Sequence, residues 1–273
     1  MRTALLAFAF LTSIVHPSAQ QPSTVATISR VLQNMKSHGW TERSHAFEKA
    51  SELLASGKLN PSDSDRLKLG IIQLLIAENV RANVPDDEAL KQSTRTGSGK
   101  HEDEAEGEEY YPSLIGFVAD MNDERAIPAL VGAMPYASDA TGALLRFGDK
   151  AVGPILDQLK SRNALLRTSA LSTAITMEGQ NEAVSRPRIR QMLRSALTDP
   201  VAVVRSSAVN EIACLDDRQD FVPMLEQLAK TDPVHYKGHA DDGVDEDQFY
   251  PVRFDARRAL REIRNNEPCL WRH

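Results

Sequence analysis

Val204-Arg205-Ser206-Ser207-Ala208 is one of three copies of an aliphatic–Arg–x–x–Ala step. The others are Leu166-Arg167-Thr168-Ser169-Ala170 and Val252-Arg253-Phe254-Asp255-Ala256. Each closing Ala is followed four residues on by Ala174, Ile212 or Leu260, and seven on by Met177, Leu215 or Ile263. Steps of four and seven put side chains along one face of an α-helix, with the Arg beside that stripe. A helix with a single apolar stripe cannot bury it alone, so copies must stack on each other. The predicted class is all-α: an α-solenoid of about five helix-turn-helix repeats, with two extra N-terminal helices.

A second pattern alternates with the first. Ala126-Ile127-Pro128, Ala151-Val152-Gly153-Pro154 and Phe221-Val222-Pro223 each open an apolar stretch with proline. Proline is tolerated in a first helical turn, where its missing N–H has no partner to lose. These stretches are read as first helices. Second helices are predicted near Pro112–Met121, Asp139–Phe147, Ala164–Met177, Pro200–Leu215 and Pro251–Asn265. Ahead of them, helices are predicted over Thr24–Lys36, Thr41–Ser56 and Arg66–Asn83.

The turns repeat as well. Thr198-Asp199-Pro200-Val201 and Thr231-Asp232-Pro233-Val234 lie 33 residues apart, yet Arg205 and Arg253 lie 48 apart. An insertion of about 15 residues therefore follows Pro233, and it is rich in Asp between Asp241 and Asp247. A matching insertion runs from Val84 to Glu109. Its last eight residues, Glu102 to Glu109, hold six carboxylates. Both exit alike, as Tyr110-Tyr111-Pro112 and Phe249-Tyr250-Pro251. The chain divides accordingly: residues 1–20 as a leader, 21–83 as N-terminal helices with the first helix of repeat one, and 84–109 as an acidic loop. Residues 110–265 carry the repeats with an acidic insertion at 234–249, and 266–273 form a tail.

The Asp-Pro turn, the Val-Arg-x-x-Ala step and the proline-marked first helix resemble HEAT repeats from about Asp123 to Asn265. The resemblance implies a right-handed α-solenoid whose first helices form a convex face and second helices a concave one. It also implies a scaffold or adaptor role. HEAT-like bilin lyases share the repeat, but no residue here matches a chromophore site.

Met1-Arg2-Thr3 is a short basic start, Ala4 to Val15 is unbroken apolar and small, and His16 to Gln20 turns polar. Twelve residues are too few to span a bilayer, so the stretch reads as a secretory signal peptide and the protein as periplasmic or extracellular. No other stretch reads as a membrane span. Export permits a disulfide between the two cysteines, Cys214 and Cys269. With 41% hydrophobic, 26% charged and only 5% aromatic residues, the composition favours stacked helices over a β-sandwich.

Chemistry-bearing motifs are incomplete. Thr96-Gly97-Ser98-Gly99-Lys100 lacks the upstream Gly and following Ser or Thr of a phosphate loop. His101-Glu102 has Ala105 where a zinc protease needs its second His. His235, His239 and Asp241 have metal-ligand spacing only on a helix, and Gly238 argues against one. Asp241 to Asp247 offers oxygen ligands to calcium without the spacing of the twelve-residue calcium loop. No catalytic constellation stands out, so the chain is read as non-enzymatic and free of cofactors.

Charge distribution says more. The net charge of −6 includes eleven carboxylates in the two acidic stretches, so the remainder carries about +5. In a solenoid both acidic loops project from one edge. Tyr110, Tyr111, Phe249 and Tyr250 sit at their bases, either to contact a partner or to anchor the loops. Asp241, Asp242, Asp245 and Asp247 would face that partner, and a basic protein fits better than nucleic acid, whose phosphates the edge repels. Arg186, Arg190 and Arg194 share one side of a helix, as a solvated face or a dock for acidic groups. The arginines of the repeated step are expected to pack their stems and pair with carboxylates. The leading expectation is an exported scaffold that binds another protein. The alternatives are a protein whose acidic loops order around calcium and, behind it, a lyase-like enzyme.

Overall fold

The computed structural model describes residues 23–37, 39–86, 110–181, 184–235 and 250–268. Among these there are twelve α-helices, three short 3-10 turns and no strand. The helices are α1 (Thr24–Asn34), α2 (Trp40–Ala55), α3 (Pro61–Ala82), α4 (Tyr110–Asp120), α5 (Ile127–Ala133) and α6 (Ser138–Phe147). They continue as α7 (Asp149–Asp157), α8 (Ala164–Asn181), α9 (Arg186–Ala196), α10 (Ala202–Ala213), α11 (Val222–Thr231) and α12 (Pro251–Arg264).

Local chemistry sets the helix starts. The Ser23 hydroxyl accepts from the Ala26 amide at the start of α1, and Asn163 Oδ1 accepts from the Leu166 amide at the start of α8. Both satisfy amides that lack an intrahelical partner. Helix α3 begins five residues before the predicted Arg66. Asn60 caps it by accepting from the Asp63 amide, and Pro61 takes the first helical position. Polar residues at its start hid that turn from an apolar-periodicity argument. Prolines 128, 187, 223 and 251 all sit at the first or second helical position. Pro154 departs from the expectation. It lies inside α7, which already starts at Asp149, directly after Gly148. Gly148 has a φ of 56°, a left-handed value open to glycine. This turn lets α6 end and α7 begin around one residue, so α7 starts a turn earlier than the proline suggests.

From α3 onward successive helices pack in pairs: α3 with α4, α5 with α6, α7 with α8, α9 with α10 and α11 with α12. The second members also contact each other in a row, α4 to α6 to α8 to α10 to α12. Helix α1 packs on α2 and α3 at the N-terminal end. One apolar cluster threads the whole row, from Ile28 in α1 to Ile263 in α12. The stripe read from the repeated step lies inside it. Ala170, Ala208 and Ala256 are fully buried, as are Ala174, Ile212 and Met177. Full burial of an aliphatic side chain contributes roughly 1.5–3 kcal/mol, so the stripe is the main cohesion between neighbouring helices.

Candidate interaction surface

The repeated arginines stitch one turn to the next. Arg205 donates from Nε and Nη2 to the two carboxylate oxygens of Asp232, at 2.7 and 3.0 Å. Its Nη1 donates to the carbonyls of Asp199 and Pro200, at 2.7 and 3.0 Å. Arg167 repeats the arrangement one unit earlier, with Asp199 at 2.8 and 2.9 Å and the Ser161 carbonyl at 2.7 Å. Arg253 donates to the Asp232 carbonyl at 2.6 Å. The aspartates of the Asp-Pro turns serve twice, since Asp199 and Asp232 also accept from the amides of Val201 and Val234. A carboxylate oxygen can take both bonds because it has two lone pairs. The arginines therefore pair with carboxylates and carbonyls of the turns.

One member of this network carries no sequence signal. Asp86, just after α3, accepts from Arg167 at 3.2 Å and from the Ala164 amide at 2.7 Å. It joins the start of α8 across 78 residues of chain, and nothing in its neighbourhood repeats.

The basic run of α9 points at the chain's own acids. Arg186 pairs with Glu178 at 2.8 Å and lies 3.8 Å from both Asp216 and Asp217. Arg190 pairs with Asp217 and, at 3.4 Å, with Asp220. The Arg194 guanidinium sits 5.5 Å from the centre of the Phe221 ring. All three side chains thus have intramolecular partners, and they join α9 to the turn before α11.

The tyrosines at the exit of the first insertion reach into the body. Tyr110 donates to the Met35 carbonyl at 3.0 Å, and the Arg43 guanidinium lies over its ring at 4.8 Å. Tyr111 donates to Asn79 Oδ1 at 2.6 Å and packs on the Tyr136 ring. Burial pushes the Tyr110 hydroxyl up to about 12, with Glu78 adding to the rise and Arg43 and Arg81 opposing it. Burial, then Tyr136 and Glu78, raise Tyr111 as well. The folded state thus holds protons that the unfolded chain releases near pH 10. Stability from these groups is present below pH 10 and lost as pH rises toward 12 and above. Melting temperatures measured across pH 9–12 should fall more steeply for wild type than for Tyr110→Phe, which lacks the ionisable group. Equal slopes would contradict this assignment.

At the second insertion, the Arg253 guanidinium lies over the Tyr250 ring at 4.0 Å, and the His235 ring packs on the same tyrosine at 5.4 Å. His235 Nδ1 lies 3.2 Å from the Pro233 carbonyl. His239, Asp241, Asp242, Asp245, Asp247 and Phe249 lie outside the described residues, as do both loops' acidic stretches and the leader. Among the described residues, no group of three or more His, Cys, Asp or Glu is placed to hold a metal ion, and no helix is long and apolar enough to cross a membrane. Cys214 is disulfide-bonded. Cys269, the only other cysteine, lies outside the described residues.

An exposed apolar row is the feature that sequence reading passed over. Leu165 near the start of α8, Val203 near the start of α10 and Phe254 near the start of α12 are 48%, 45% and 56% exposed. Leu165 and Val203 each stand two residues before the repeated Arg, and Phe254 stands one after it. Positions minus two and plus one are three apart, so all three fall on the same helix face. Beside the row, Ser206 and Asn210 of α10 are tied to α12: Ser206 donates to Asp255, and Arg258 donates to Asn210 at 2.6 Å. Comparison with protein-family models, curated proteins and solved structures finds no match for this chain.

Proposed function

We propose that the chain is an exported, non-catalytic HEAT-like α-solenoid that binds another protein. The contacts fall on the concave face formed by its second helices and on the acidic edge. The observation that carries this reading is the row Leu165, Val203 and Phe254 on three successive second helices. Single exposed apolar residues are ordinary, but large ones on the same face of neighbouring helices form the apolar centre that protein interfaces use. The row of second-helix contacts from α4 to α12 supports stacked repeats. The bonded Cys214 supports an oxidising compartment and hence export. The eleven carboxylates of the two insertions give the partner a basic character.

Two variants of the mature protein test the reading beside wild type. One carries Leu165→Ser, Val203→Ser and Phe254→Ser; the other carries Asn at positions 241, 242, 245 and 247. Affinity capture from the exported fraction is expected to yield a partner with wild type. Affinity should drop at least about tenfold for the first variant, as when interface anchors are truncated. It should become less salt-dependent for the second. Surface substitutions of this kind leave stability within about 0.5 kcal/mol each, so both variants stay folded. No capture by wild type, or equal capture by both variants, overturns the proposal.

A further inference from the structure

A cavity of about 340 Å³ is lined by residues of α7, α8, α9 and α10 and of the turn after α7. That volume lies in the range of small-molecule sites. Its floor is apolar: Leu156 of α7, Leu171 of α8, Met192 of α9 and Val204 of α10, each less than 9% exposed. The Arg167–Asp199 pair also lines it, with its charges matched by two hydrogen bonds. Two cations stand among the lining residues, on different elements. Lys160 closes the 3-10 turn after α7, and Arg188 lies in the first turn of α9. Both are exposed, and among the described residues neither forms an ion pair. Arg188 differs in this from Arg186 and Arg190 of the same helix, which are held by carboxylates. The exposed Asp157 is the remaining charge of the lining; Lys160, Arg188 and Asp157 sum to plus one, and Asp86, which pairs with Arg167, stands outside the lining.

We infer that this cavity binds an aliphatic monocarboxylate. Its head group sits between Lys160 and Arg188, and its chain lies on Leu156, Leu171, Met192 and Val204. The physical reasoning has two parts. A cavity of this size filled only with water wets an apolar floor, which an alkyl chain covers with gain. A carboxylate bridging two cations makes charge-assisted hydrogen bonds, and guanidinium in particular accepts it in bidentate geometry. Met192 adapts its shape to chains of different length. The inference is independent of the protein-binding proposal, since none of these residues belongs to the exposed row.

The test titrates decanoate, decanol and acetate into the mature protein by calorimetry, with the Met192 methyl resonance as a local reporter. Decanoate is expected to bind and move the Met192 signal. Decanol, which lacks the charge, and acetate, which lacks the chain, should each bind at least about tenfold more weakly. The double variant Lys160→Gln/Arg188→Gln, altered only at exposed positions, should melt like wild type and bind decanoate at least about tenfold more weakly. Its decanol affinity should not change. Absence of decanoate binding, decanoate binding without a Met192 shift, or unchanged affinity in the double variant each overturns the inference.

Discussion

Replacing Arg205 by alanine is expected to lower the unfolding free energy by about 3–5 kcal/mol, the cost of stranding a buried charge. Its side chain is 8% exposed and that of its partner Asp232 is 1% exposed. Neither group can recover water when the other is removed. Asp232 also holds the Val234 amide and, through its carbonyl, Arg253, so loss of the pair reaches both neighbouring repeats. Arg205→Lys should recover little, because one ammonium cannot serve both carboxylate oxygens and the Asp199 and Pro200 carbonyls together. Urea unfolding followed by circular dichroism measures the difference. A loss below about 1 kcal/mol would show that the pair contributes no more than an exposed one.

Gly132→Ala should cost about 2–3 kcal/mol, although alanine is the better helix former. A Cβ at Gly132 would lie 2.5 Å from Asn79 Nδ2 and 3.0 Å from Asn79 Cγ. Asn79 is 7% exposed. It donates to the Ala129 carbonyl at 2.6 Å and accepts from Tyr111. Moving it leaves those groups unpaired in the core, where each unsatisfied group costs about 1–3 kcal/mol. The Gly132 carbonyl also accepts from Asn83, so α5 cannot shift away freely. Asn79→Ala should be destabilising alone, yet the double variant should be more stable than the sum of the two losses, because the clash disappears with the amide. Strict additivity by the same unfolding measurement would contradict the proposed clash.

The parts of the fold that were legible in the sequence are those fixed by periodicity. The Arg–x–x–Ala step placed α8, α10 and α12 because apolar residues recur four and seven positions after each Ala. Pro154 misled because one residue cannot distinguish a first-turn proline from a tolerated interior one; Gly148 set the start of α7. Asp86 was invisible because its link to Arg167 crosses 81 residues and belongs to no repeat. The tyrosines at 110 and 111 were recognisable as special, but only the buried partners Met35 and Asn79 show that they anchor the chain. Leu165 and Val203 were not singled out because sequence patterning reports apolar character and not which face remains exposed. The cavity lined by α7, α8, α9 and α10 was equally hidden, since it depends on how separate helices are placed and not on any one segment's pattern.

Hydrogen exchange of the chain with and without its captured partner tests the central claim most directly. The account predicts that protection rises in the first turns of α8, α10 and α12, around Leu165, Val203 and Phe254, while α7 and α9 exchange as before. Protection confined to α7 and α9, with those three helix starts unchanged, would place the partner away from the exposed row and contradict it.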